Sequence, residues 1–71
     1  MNFAKHQILE KNLQQEAEGH YKKGLAYYSS GDLDKAIEEW QETLRLNPTH
    51  PQAGKDLQKA RQQRERLNRA H

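Results

Sequence analysis

Gly31-Asp32-Leu33-Asp34-Lys35-Ala36-Ile37-Glu38-Glu39-Trp40-Gln41-Glu42-Thr43-Leu44-Arg45-Leu46-Asn47-Pro48 reads as a turn, a helix start, an amphipathic helix and a stop. Gly31 can adopt the left-handed backbone that ends a preceding helix without steric penalty. Asp32 can then accept bonds from the free N–H groups of the next helix, and Asp34 suits its positive end. Leu33, Ala36, Ile37, Trp40 and Leu44 fall on one face at helical spacing. Pro48 disfavours helical geometry at Asn47, so the helix is expected to end near Leu46.

Upstream, Leu9, Leu13, Ala17, Tyr21 and Leu25 repeat every four residues, with Phe3, Ile8, Gly24 and Tyr28 beside them. The stretch holds no proline, and the pattern predicts one long helix from about Phe3 to Ser29. Gly19 and Gly24 weigh against it, each costing about 1 kcal/mol relative to Ala in an exposed helix. A break near Gly19 is the alternative, whereas Gly24 suits close approach of a second helix. Downstream, Thr49 with Gln52 fits a capping box with Pro51 in the first turn. His50 as the cap fits nearly as well. The third helix then runs to about Leu67 or later. Its apolar stripe is thin (Ala53, Leu57, Ala60, Leu67) and its other side is Lys, Arg and Gln.

These elements bound the class. A chain of 71 residues that is 32% hydrophobic makes one small all-α domain with a core worth about 3–5 kcal/mol. It has no cysteine, hence no disulfide and no thiolate nucleophile or ligand. Nothing approaches the roughly 20 apolar residues of a membrane span. Met1–His6 shows neither the apolar run nor the cleavage pattern of a signal peptide, so a cytoplasmic location is expected unless a longer parent carries its own address. Residues 1–50 carry six Lys or Arg against eight Asp or Glu; residues 51–71 carry six against two. The body is mildly acidic and the last helix basic.

Helix, Gly-Asp turn, helix and Asn-Pro stop resemble one tetratricopeptide repeat, spanning Ala17 to His50 over that family's 34-residue period. The family's small residue in its first helix falls on Gly24 and its aromatic on Tyr27. The turn glycine is Gly31. The small and bulky residues of its second helix fall on Ala36 and Trp40, and its proline on Pro48. The chain departs where the family favours Trp and Leu and has His20 and Lys23, and where it favours Ala and has Thr43. The fold implied is a helix-turn-helix hairpin at 17–50, with an N-terminal helical extension at 1–16. The basic helix at 51–71 resembles the polar cap that closes such arrays.

The resemblance implies a protein–protein interaction module or scaffold without catalysis. In the family the first helices of repeats line the surface that holds peptides. Carried over, Tyr21, Leu25, Tyr28 and Ser29 form one wall, and Lys55, Lys59 and Gln62 the other. Packing on the N-terminal extension is the competing reading for the aromatics. Lys55 and Lys59, one turn apart, suit a carboxylate, although a solvated basic face is the simpler reading.

Two further readings come from the residues alone. Phe3, Ile8, Leu9 and Leu13 precede the repeat and suit pairing between copies, a homo-oligomeric structural role. The Lys- and Arg-rich third helix suits phosphate, but it lacks the aromatics for stacking on bases. His6, His20, His50 and His71 show no metal-ligand spacing. Glu38, Glu39 and Glu42 form a solvated face rather than an acid–base site. No cofactor is expected.

Overall fold

The computed structural model describes the backbone of residues 3–69 and the side chains of residues 12–69. Three helices follow in order: α1 Phe3–Ser29, α2 Leu33–Leu46 and α3 Ala53–Arg69. α1 passes through Gly19 without a break.

The α1–α2 turn closes as the sequence implies. Gly31 sits at φ +87°. The Asp32 N–H donates to Tyr27 O at 2.9 Å and the Gly31 N–H to Tyr28 O at 3.1 Å. This is a Schellman closure, with glycine at the left-handed position. Asp32 then caps α2, its Oδ1 accepting from the Lys35 N–H at 3.1 Å. One aspartate thereby ends one helix and starts the next, which sets α2 back antiparallel on α1.

Packing centres on Trp40, which is 1% exposed. Its indole lies against Gly24, where a Cβ would come within 2.5 Å of Trp40 Cδ1 and 2.8 Å of Cε2. Its Nε1–H donates to the Tyr21 carbonyl at 3.1 Å. The aromatic rings of Tyr21 and Tyr28 lie 6.1 and 5.7 Å from it. Ala36, Ile37, Ala53, Leu57 and Ala60 complete the core, and Tyr27, Leu33 and Leu44 are partly buried around it. Thr43 is fully buried where the family prefers Ala. Its hydroxyl donates to the Glu39 carbonyl at 2.9 Å, and among the described residues no buried side-chain polar atom lacks a partner.

The second connection departs from the favoured capping-box reading. His50, not Thr49, caps α3: its Nδ1 accepts from the Ala53 N–H at 3.1 Å and the Gln52 N–H at 3.3 Å. Thr49 instead turns back, donating through N–H and Oγ1 to Asn47 Oδ1 at 3.3 and 3.0 Å. The imidazole wins because burial also packs it on the Tyr21 ring, centroids 4.6 Å apart. Pro51 and Gln52 stay in the turn, and α3 begins at Ala53.

α1 outruns its cover. From Asn12 to Glu16 every side chain is exposed, and Ala17 is the first buried among the described residues. The molecule is accordingly elongated, 58 × 18 × 14 Å. Leu13 is 40% exposed, while the side chains of Phe3, Ile8 and Leu9 lie outside the described residues.

Candidate functional site

α1 and α3 both pack antiparallel on α2, so they run parallel to each other and touch only in a short seam. Two contacts fix it. The Tyr21 hydroxyl donates to Asp56 Oδ2 at 2.5 Å. His50 Nε2 faces Glu18 Oε2 at 3.4 Å. With His50 Nδ1 accepting two backbone N–H groups, the neutral ring carries its proton on Nε2, directed at Glu18.

On α1, Glu18, Tyr21, Leu25 and Tyr28 follow at three, four and three residues, so they share the side that borders α3. Tyr21 is 7% exposed. The sequence reading gave it a place on an open wall; it sits instead beneath the seam, because Trp40, His50 and Asp56 surround it. Its hydroxyl is pushed up to about 12, by burial first, then by the hydrogen bond to the Asp56 carboxylate and the charges of Asp56 and Glu18. One turn further along, Leu25 is 41% exposed, Tyr28 half-buried and Ser29 exposed.

On α3, Lys55, Lys59 and Gln62 are all exposed. Lys59 lies one turn beyond Asp56, as Leu25 lies one turn beyond Tyr21. Among the described residues neither lysine has an ion-pair partner, whereas Arg64 meets Asp34 at 2.9 Å and Arg69 meets Glu65 at 2.7 Å.

The opposite flank is occupied by contacts the sequence did not reveal. His20 Nδ1 and Glu39 Oε1 are 2.7 Å apart, and Lys35 Nζ stands 5.5 Å from the Tyr27 ring centroid. Glu42 is clamped by Arg45, whose Nε donates at 2.9 Å. That guanidinium holds the Glu42 carboxyl below the usual carboxylate range. Thus His20, at one of the three departures from the family pattern, bonds to α2 at the edge of the hairpin, while Lys23 stays exposed. Asp56, Glu18 and His50 organise the seam, yet nothing in their local sequence singles them out, since their partners stand 32 to 35 positions away.

Among the described residues no three His, Asp or Glu side chains gather to hold a metal ion, and no helix is long and apolar enough to cross a membrane.

A helical hairpin with an open face along its first helices is the architecture of an α-helical interaction repeat. Residues 17–50 match the family model described as Tetratricopeptide repeat; the chain contains one such repeat, within an all-α fold. Repeats of this family generally mediate protein–protein interaction and carry no catalysis of their own. No curated protein and no solved structure matches the chain.

Proposed function

We propose that this protein is a protein–protein interaction module that binds a protein or peptide partner on the α1–α3 face, with no reaction of its own. The observation that carries this reading is the pairing of uncommitted apolar and basic surface at one seam. Leu25 and Tyr28 offer apolar area beside Lys55 and Lys59, which no carboxylate among the described residues neutralises. Apolar area flanked by charge supplies both affinity and selection of partners. Tyr21 contributes from below, holding α3 against α1. Ser29 and Gln62 supply hydrogen-bonding capacity at the rim.

Selection of binders from a displayed random-peptide library tests the reading. Selected peptides should lose binding to a Leu25→Lys/Tyr28→Ala variant that keeps the parent's melting behaviour. Peptides that bind this variant as well as the parent would place the interaction elsewhere and reject the reading.

A second reading is favoured by the exposed run from Asn12 to Glu16. Repeats of this kind bury their faces mainly against neighbours, and two copies pairing through the α1 extension would supply one. A third, phosphate binding along α3, has only the basic charge of that helix behind it.

A further inference from the structure

We infer that the partner element held on this face is an acidic amphipathic helix, laid along α3 with its apolar edge on Leu25 and Tyr28. The inference rests on the interaction reading above and names the partner's chemistry.

The argument starts from the layout of charge on α3. Lys55, Lys59, Gln62 and Arg66 succeed one another at four, three and four residues, which makes one straight row along the helix. All four are exposed. Among the described residues the three cations lack ion-pair partners, whereas Arg64 and Arg69, off this row, are matched by Asp34 and Glu65. Uncompensated charge on α3 is therefore concentrated on this line and on Arg61.

The spacing of the row then selects the shape of its complement. At 1.5 Å per residue the cations stand at roughly 0, 6 and 16 Å along the axis. Carboxylates at i, i+4 and i+11 of a second helix reproduce these intervals. A strand presents same-face side chains about every 6.6 Å, so the second interval, roughly 10 Å, falls between one step and two. Reversed, the same cations call for carboxylates at i, i+7 and i+11, so a helix with carboxylates at i, i+4, i+7 and i+11 matches the row in either orientation.

The apolar component lies alongside. Tyr21 and Asp56 fix the level at which the two helices touch. Leu25 and Tyr28 follow on α1 while Lys59 and Gln62 follow on α3, so apolar and basic strips advance side by side. Exposed Leu25 and half-buried Tyr28 give an apolar strip beside the cation row, on which an amphipathic helix can lay its apolar face, as in helix-in-groove complexes.

Fluorescence anisotropy with the full chain provides the test. The probe is a labelled peptide about four turns long, on an Ala/Gln background, with Glu at i, i+4, i+7 and i+11 and Leu on the adjoining stripe. Controls are the same composition with the Glu positions scrambled around the helix, and a single-stranded oligonucleotide of equal charge. The patterned peptide is expected to bind at least about tenfold more tightly than the scrambled one. Lys59→Glu with Arg66→Glu should remove that advantage, because attraction becomes repulsion at two sites. A peptide with Lys in place of Glu should restore binding to this variant. Equal binding of patterned and scrambled peptides would overturn the inference, as would tighter binding of the oligonucleotide. If library-selected peptides on the face are acid-poor or extended, this inference falls and the interaction reading stands. If none engages the face, both fall.

Discussion

Gly24 and Trp40 show how much one missing methyl group decides. The indole occupies the space a Cβ would fill, so Gly24→Ala must displace Trp40 or part the helices. Overpacking of this kind costs about 1–3 kcal/mol, more than the roughly 1 kcal/mol gained in helix propensity. Gly19 has nothing within 4 Å of its hypothetical Cβ, so Gly19→Ala should stabilise by about 0.5–1 kcal/mol. Urea melts of the two variants are expected to move in opposite directions; parallel shifts would refute the packing account. Tyr21 supplies a test against pH. Its hydroxyl stays protonated in the folded state to about 12, against about 10 for a free phenol. Below about pH 10 both states hold the proton and the contribution to stability is complete; as pH rises toward 12 the unfolded chain ionises first and stability is lost. Urea midpoints should fall across this window in the parent and less steeply in Tyr21→Phe; equal slopes would contradict it. The close approach at Gly24 was legible from spacing, because a small residue at a helix crossing leaves a local mark. The Tyr21–Asp56 bond was not, because a tyrosine at a helical apolar position fits a core and a groove wall equally well until its partner 35 residues away is known.

At the scale of elements, turn chemistry carried most of the fold into view. Gly31 and Asp32 stated the end of α1 and the start of α2, since left-handed backbone and a carboxylate cap both leave local signatures. The start of α3 was ambiguous for a physical reason: Thr49 and His50 both offer an acceptor at a suitable distance from the first turn. Burial against Tyr21, a tertiary contact, decided for the imidazole. His50→Ala should therefore cost about 1 kcal/mol, as loss of an N-cap does, and Thr49→Ala clearly less. Thermal melts that rank the two the other way would restore the capping-box reading. The proposed binding face was half legible. Leu25, Tyr28 and the lysines were placed by repeat spacing, whereas the engagement of His20 with Glu39 across the hairpin came only with the packing.

For the molecule as a whole, the question is what covers its uncovered parts. α1 extends beyond α2 and α3 with Asn12–Glu16 exposed, and α3 is exposed from Arg61 to Arg69. If two copies pair through the extension, light scattering across about 10–500 μM, bracketing modest interfaces, should show mass rising toward a dimer, and Leu13→Lys should hold it at the monomer. A monomer mass throughout would remove the second reading and leave the first intact. The central claim, that the α1–α3 face receives a protein partner, is tested most directly by amide chemical-shift mapping of the labelled chain with a library-selected peptide. Perturbations are expected to cluster at Leu25, Tyr28, Ser29, Lys55, Lys59 and Gln62. Saturable binding with shifts confined to Glu38, Glu39 and Glu42 on α2, and the seam unmoved, would contradict it.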